Sequence, residues 1–396
     1  MPAADPVVIV GAGRTPIGGF LGALKDVAAP ALGAAAIRAA LARSGLGDQA
    51  VDETVMGCVL PAGLGQAPAR QAALAAGLPI SVGATTVNKM CGSGMKAAML
   101  ACDLIVAGSA KVVVAGGMES MSNAPYLLDR ARAGYRMGHG RVVDHMFLDG
   151  LEDAYDKGRL MGTFAEDCAE ACQFTRQAQD AYALRSLERA QTAAREGAFA
   201  AEIAPVAIAA GKSEATVAAD EQPPKARPDK IPSLKTAFRD GGTVTAANSS
   251  SIADGAAALV LMRTSDAERR GLTPLARVVG CAGYAAAPKD FPTAPIGAMR
   301  RLFEKTGWRA EGVDLYEINE AFAVVAMAAM RDLDLPADKV NVNGGACALG
   351  HPIGASGARI VVTLLAALKA RGLKRGVAAL CIGGGEGTAM AVEISG

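Results

Sequence analysis

Apolar positions along the chain fall into short continuous runs that alternate with stretches of helical spacing. Val7-Val-Ile-Val10 is a strand-sized run. Near Leu32, LGAAAIRAALARSGLGDQAVDETVMG spaces its apolar residues as a helix, a turn and a strand, and near Ile296 IGAMRRLFEKTGWRAEGVDLYEIN does the same. The chain thus repeats itself once. Val51-Asp52 matches Val313-Asp314 at an offset of 313 − 51 = 262, and Gly92-Ser-Gly94 matches Ala355-Ser-Gly357 at 355 − 92 = 263. Each of these turns leads into an apolar helix, Met95 to Ala107 and Ala358 to Ala370. A short basic turn and a strand ending in glycines follow each helix: residues 112–114 before Gly116-Gly117, and residues 378–382 before Gly383-Gly384-Gly385. Alternating strands and helices predict an α/β protein with a mostly parallel, helix-covered sheet, here built twice.

Residues 123 to 249 fit neither copy. They hold a charged helix, Arg176 to Arg195, and the turn-dense stretch Gln222-Pro-Pro-Lys-Ala-Arg-Pro-Asp-Lys-Ile-Pro232. The spacing predicts three regions: residues 1–122 with 250–274 as a first half, 123–249 as an inserted loop domain serving as a substrate lid, and 275–396 as a second half.

At 396 residues, 51% hydrophobic and 20% charged, the chain exceeds one comfortable core. A net charge of +1 supplies no long-range field for nucleic acid or an anionic membrane. Neither a charged leader nor an apolar stretch near the roughly 20 residues of a membrane span is evident, so a cytoplasmic location is expected. The eight cysteines, at 58, 91, 102, 168, 172, 281, 347 and 381, form no C-x-x-C pair. Reduced, packed thiols and no metal site are the expectation, with Cys168 and Cys172 in the core. Val8-Ile-Val-Gly-Ala-Gly13 opens like a dinucleotide fingerprint, but Pro16 stands where its third glycine belongs and argues against NAD.

Two segments carry chemistry: Asn88-Lys-Met-Cys-Gly-Ser-Gly-Met95, and Asn343-Gly-Gly-Ala-Cys-Ala-Leu-Gly-His-Pro-Ile-Gly-Ala-Ser-Gly357. A cysteine at a helix start gains thiolate character from unpaired N–H groups, so Cys91 is expected to titrate one to two units below the usual value of about 8.5. Ser93 is expected to cap the helix. His351, one of three histidines, sits between Gly350 and Pro352 and is expected to be presented to a ligand. His139 and His145, among arginines and aspartates, are expected to be solvated. Cys381 ends an apolar strand before three glycines whose N–H groups suit a negative oxygen. Asn319-Glu-Ala-Phe322 ends another strand, where an amide could orient water.

Taken in order, Asn88-Lys-Met-Cys-Gly-Ser-Gly, Asn319-Glu-Ala-Phe-Ala, Gly350-His-Pro-Ile-Gly-Ala-Ser-Gly and Cys381-Ile-Gly-Gly-Gly make the chain resemble the thiolases, acetyl-CoA C-acyltransferases, along its entire length. The resemblance implies two duplicated βαβαβαββ halves in a five-layered α/β/α/β/α body with an inserted loop domain. It implies a ping-pong reaction in which Cys91 becomes acyl-cysteine and His351 takes its proton. Cys381 then moves the α-proton of acetyl-CoA. Asn319, through a water, and His351 form one oxyanion site, and the N–H groups of Cys91 and Gly383 form the other. By similarity Ser250 and Ala246 touch pantetheine, while Leu151, Met161 and Phe322 line the pocket. Leu160 departs from the histidine that short-chain biosynthetic members carry before Met-Gly, which makes the wall more apolar and favours longer or branched acyl chains. Lys225 and Arg227 lie near the expected adenosine phosphate without a clean match. The resemblance further implies no cofactor and no metal, CoA and acyl-CoA as substrates, and a homotetramer of tight dimers tethered through residues 123–142. Two alternatives are a non-catalytic acyl-CoA carrier on this fold and a ketoacyl-synthase-type condensing enzyme. The complete set of four reactive residues speaks against the first, and the Cys-Ile-Gly-Gly-Gly block against the second.

Overall fold

A computed structural model of the chain describes residues 5–47, 50–211 and 213–395. Residues 48 and 49 of the first expected turn, and terminal residue 396, lie outside them.

In the first half, β1 (Val7–Arg14) and the short β2 (Gly18–Gly19) precede α1 (Ala29–Ser44), β3 (Glu53–Gly57), α2 (Pro68–Ala75), β4 (Gly83–Val87), α3 (Ser93–Ala107) and β5 (Val112–Ser120). The insert contains two ribbons, β6 (Tyr126–Leu127) with β7 (Val143–Asp144) and β8 (Val206–Ala210) with β9 (Ser213–Val217), and the helices α4 (Met161–Ala171) and α5 (Arg176–Arg195). The chain then rejoins the first half as β10 (Ala253–Arg263) and α6 (Thr264–Arg269). The second half comprises β11 (Ala276–Ala285), α7 (Ala294–Thr306), β12 (Leu315–Ile318), α8 (Ala323–Asp332), α9 (Ala346–Leu349), α10 (Ile353–Ala370), β13 (Arg375–Ile382) and β14 (Glu386–Ile394).

The main strands run β12-β13-β14-β11-β1-β10-β5-β3-β4. Two half-sheets of one plan join where Val8 pairs Arg277 and Ile9 pairs Ala276. Only β12–β13 in one half, and β5–β3–β4 in the other, are parallel; the pairs nearer the junction are antiparallel. The sheet is therefore mixed, not mostly parallel, because the long strands β10 and β14 run back beside β5 and β13. The second half's counterpart of β4 is reduced to a single bridge from Tyr316 to Val340.

Neighbouring residues of a strand face opposite sides, and here both sides are buried. Val112 and Val114 pack outward with α1 and α2, whereas Val113 and Ala115 pack inward with α3 and α10. Likewise Ala378 and Leu380 face the central helices, and Val377 and Ala379 face α7 and α8. Three apolar clusters, the middle one covering both faces of the central helices, thus fill the four interfaces of five layers, α/β/α/β/α. A helix flanked by sheets must be apolar all round. That is why Ile353–Ala370 reaches 18 residues at membrane-like hydropathy while 83% buried in the fold; Met90–Ala107 is as long and nearly as apolar but only 44% buried. The expectation that no segment approaches that length was too strict, since a central layer needs the same composition as a span.

The two central helices touch backbone to backbone. A Cβ on Gly94 would lie 2.8 Å from the Ala358 nitrogen, and one on Gly357 would overlap the Met95 nitrogen. The dinucleotide-like glycines have a packing role as well, because a Cβ on Gly11 would overlap the Ala40 carbonyl oxygen of α1.

Buried ion pairs tie the insert down. Arg14 of β1, fully enclosed, donates to Glu202 at 2.7 Å and to both oxygens of Asp220 at 2.7 and 2.9 Å. Such a pair specifies a location more than it adds stability. On the other side Tyr182 and Ser186 of α5 donate to Glu320 at 2.9 and 2.7 Å. Cys168 is buried, Cys172 accepts from Arg331 at 3.1 Å, and no metal-binding cluster occurs among the described residues.

Candidate active site

The turn after β4 presents Cys91. Met90 adopts φ +47°, a left-handed conformation that a side chain takes only when its surroundings enforce it. Asn88 Oδ1 accepts the Met90 N–H at 2.9 Å, while Ser93 Oγ accepts the Lys89 N–H at 2.8 Å and donates to the Met90 carbonyl at 2.6 Å. Ser93 is thus the first residue of α3 and locks the preceding turn instead of capping the helix. Lys89 pairs with Glu386 of β14, which draws the turn toward the second half. The backbone N–H groups of Gly383 and of Cys91 itself favour the ionised Cys91 sulfur.

Those two donors do not make Cys91 a thiolate. Burial pushes its pKa up to about 11, helped by the nearby Glu119 carboxylate and opposed by the two N–H groups. The expected lowering is overturned because helix-start donors act on a thiol that has lost its water, and desolvation outweighs them.

His351 follows Gly350, whose φ of +105° and contact with Ala253 require glycine. Its N–H donates to the Ser251 carbonyl at 3.0 Å. The imidazole is enclosed, 5% exposed, rather than openly presented. Nδ1 lies 2.5 Å from Ser356 Oγ, and the Ser356 hydroxyl donates to the Pro352 carbonyl at 2.9 Å. Ser356 has one proton, so Nδ1 is the donor and Nε2 keeps its lone pair. Nε2 is buried without a partner in the protein. Burial first, and then the charge of Arg359, push the His351 pKa down to about 3, so the ring is neutral at physiological pH.

Cys381, near the end of β13, is buried beside Cys91, and desolvation followed by that neighbour raises its pKa well above the usual thiol range. Asn319 is the first residue after β12; its N–H donates to Ala379 O at 2.9 Å, and both of its side-chain polar atoms are buried without a partner. Buried polar groups are ordinarily paired. The orphaned Asn319 Nδ2 therefore suits a water or substrate oxygen, and the orphaned His351 Nε2 lone pair suits the proton of a thiol or a water.

Cys91, His351, Cys381 and Gly383 line one cavity of about 350 Å³, with Leu151, Leu160, Met161, Phe322, Ala246 and Ser250 also in its wall. Asn319, fully buried, is not among the residues that line it. Ser250 reaches it because its N–H donates to Ala321 O at 2.9 Å, laying residues 248–250 beside 321–323. Phe147, Phe238, Phe291 and Ile353 line the cavity too and were missed. Phe238 stacks edge-on against Phe322 at 6.0 Å, and in a chain with only nine phenylalanines that scarcity was the available signal.

A second cavity of about 620 Å³ shares Ala246, Ser251 and Ile252 with the first and is lined by Lys225, Arg227 and Lys230. His145 departs from expectation: it is 5% exposed, its N–H donates to Pro125 O at 3.1 Å, and Nδ1 lies 2.7 Å from Asp149. Pairing of β6 with β7 folds it inward against the π-helical turn Phe147–Leu151, which lines the cavity.

Family models for the thiolase N-terminal and C-terminal domains match residues 7–265 and 272–394. The chain is 49% identical over 389 residues to an acetyl-CoA acetyltransferase of Cupriavidus necator, covering 98% of this chain and 99% of that protein. It is 51% identical over 392 residues to acetyl-CoA acetyltransferase 2 of Arabidopsis thaliana, covering 98% and 97%. The crystal structure of the Bacillus anthracis acetyl-CoA acetyltransferase superposes with a TM-score of 0.96 at 43% identity, covering 100% of both chains. With the duplicated halves, the insert and the four signature segments in one continuous match, the chain belongs to the thiolase family of acyltransferases.

Proposed function

We propose that this thiolase moves acyl groups between CoA thioesters through an acyl-cysteine at Cys91. The observation that carries the reading is the meeting of Cys91, His351 and Cys381, drawn from opposite ends of the chain, on one enclosed apolar cavity. In thiolysis of a 3-ketoacyl-CoA, His351 Nε2 takes the Cys91 proton as the sulfur attacks the keto carbon. The developing oxyanion is held by the N–H groups of Cys91 and Gly383. The bond between C2 and C3 breaks, and the leaving acetyl-CoA enolate takes its α-proton from Cys381. Its thioester oxygen rests on His351 and on a water held by Asn319. The Cys381 thiolate then takes the proton of the CoA thiol as the CoA sulfur attacks the acyl-cysteine; the bond from the acyl carbon to the Cys91 sulfur breaks, acyl-CoA leaves, and His351 returns its proton to Cys91. Condensation of two acetyl-CoA molecules is the same path reversed. Two half-reactions thus share one pocket, and thiol, imidazole and backbone donors supply the chemistry without metal or prosthetic group.

CoA enters through the larger cavity. Its phosphates face Lys225, Arg227 and Lys230, and its pantetheine passes Ala246, Ser251 and Ile252 into the apolar chamber. The segment from β6 to β7 exposes Tyr126, Leu128, Met137 and Val142, apolar surface that supports tetramer assembly through residues 123–142.

Spectrophotometric thiolysis of acetoacetyl-CoA tests the reading. Wild type turns over, Cys91→Ala does not, and iodoacetamide labels Cys91 first in the intact protein. Retained turnover in Cys91→Ala excludes the acyl-cysteine, and CoA binding without turnover in the wild type favours a carrier instead.

A further inference from the structure

Glu119, one residue from the end of β5, lies where the two halves meet beneath the reaction centre, and it is fully enclosed. Its Oε2 accepts the N–H of Val59 at 3.0 Å and of Gly354 at 2.8 Å, and its Oε1 accepts the N–H of Leu60 at 3.1 Å. The Cys58 thiol faces Oε1 at 3.7 Å. Val59 and Leu60 follow β3 in the first half. Gly354 is in the first turn of α10, three residues beyond His351. A Cβ on Gly354 would come within 2.5 Å of Oε2, so the carboxylate fills the space a side chain there would need.

Glu119, through its charge, disfavours the Cys91 thiolate and so works against the first chemical step, though burial raises that thiol more. Its contacts account for its position nonetheless. The segment bearing His351 is fixed at both ends by buried carboxylates: Glu320 accepts the Cys347 N–H at 3.0 Å, and Glu119 accepts that of Gly354. Of these two, Glu119 alone also holds backbone of the first half, next to Cys91.

We propose that Glu119 is a positioning residue for acyl transfer: by joining Val59 and Leu60 to Gly354 through one carboxylate, it sets the His351 imidazole against Cys91. This role rests on the reading of Cys91 as nucleophile and His351 as base. Three converging N–H donors need two acceptor oxygens, and an amide would turn its own NH2 toward one of them.

The test compares wild type, Glu119→Gln, Glu119→Asp and Glu320→Gln at pH 8. Acetoacetyl-CoA thiolysis and iodoacetamide alkylation of Cys91, located by peptide mass spectrometry, are the readouts. In Glu119→Gln, Cys91 is alkylated severalfold faster because the neighbouring charge is gone, while kcat falls roughly a hundredfold at little-changed KM. Glu119→Asp keeps the charge, so its alkylation rate stays at or below that of wild type and its kcat is intermediate. Glu320→Gln leaves Cys91 alkylation unchanged. A Glu119→Gln kcat within about threefold of wild type, or alkylation no faster than wild type, overturns the proposal. If Glu119→Gln does not fold, Glu119→Asp decides: wild-type kcat overturns the role, and lowered kcat with unchanged alkylation and thermal midpoint supports it. Alkylation of wild type at another cysteine with thiolysis retained refutes the Cys91 reading itself and is recognised without any Glu119 variant.

Discussion

Ser356 Oγ lies 2.5 Å from His351 Nδ1, five residues away on the same segment, and donates its own hydrogen bond to the Pro352 carbonyl. One hydroxyl thereby decides which imidazole nitrogen faces the substrate. Ser356→Ala frees the ring to sample the other tautomer. We expect kcat to fall about tenfold at nearly constant KM, measured by steady-state thiolysis. An unchanged kcat would show that something other than Ser356 fixes the tautomer.

Cys91, raised to about 11, and His351, lowered to about 3, form a neutral thiol–imidazole pair at rest. The thiolate fraction then grows with every step in pH below the thiol value. Alkylation of Cys91 by iodoacetamide should accelerate about tenfold per pH unit from 7 to 10 without a plateau. Levelling near pH 7 to 8 would instead indicate a preformed thiolate–imidazolium pair.

Glu119 and Glu317, buried in the body, are raised by desolvation from 4.5 to about 7 and about 8. A carboxyl whose folded value exceeds its unfolded one binds its proton more readily when folded. It therefore favours the fold most when protonated, and that contribution is lost as pH rises through the folded value. His351 opposes this only below its unfolded value of 6.5, because its folded value is depressed. Between pH 6.5 and 8 the two carboxyls act alone among these three, so the thermal midpoint should fall over that interval and fall less in Glu317→Gln. A flat or rising midpoint in wild type contradicts the assignment.

Gly357→Ala should cost about 3 kcal/mol or more, because the added methyl meets the Met95 backbone nitrogen, which no rotamer change relieves. Chemical denaturation of the purified variant measures it. A loss below about 1 kcal/mol would mean that α3 and α10 can slide apart cheaply.

Phe147, Leu160, Phe238 and Phe291 make the chamber wall apolar, and we propose that it admits acyl chains longer than four carbons. Across a series of 3-ketoacyl-CoA lengths, kcat/KM for C8 should stay within about tenfold of C4. A hundredfold preference for C4, about 2.7 kcal/mol, would show the chamber closed to longer chains.

The duplication and the chemistry were legible because both are local: two Ser-Gly turns at one offset, and reactive residues placed beside glycines. Protonation was not legible. Neighbours in sequence argued for a lowered Cys91, but its pKa is set by burial between two halves, which no local segment reveals. His145 misled for the same reason, since its charged neighbours suggest water while the β6–β7 pairing turns it inward. The anchoring of Arg14 to Glu202 and Asp220 spans 188 and 206 residues and leaves no periodic trace. Asn319 was readable as an amide at a strand end, but its lack of any protein partner is a property of packing alone.

The internal repeat also carries an asymmetry. At the shared offset of 263, Cys91 corresponds to Gly354 (354 − 91) and His351 to Asn88 (351 − 88). Each copy keeps the scaffold for a reactive side chain and fills it differently from its sibling. A symmetric pair made from either copy alone would bring together two nucleophiles or two bases, never one of each. Covalent fusion with divergence thus lets a twofold architecture hold unlike reactive side chains at one centre.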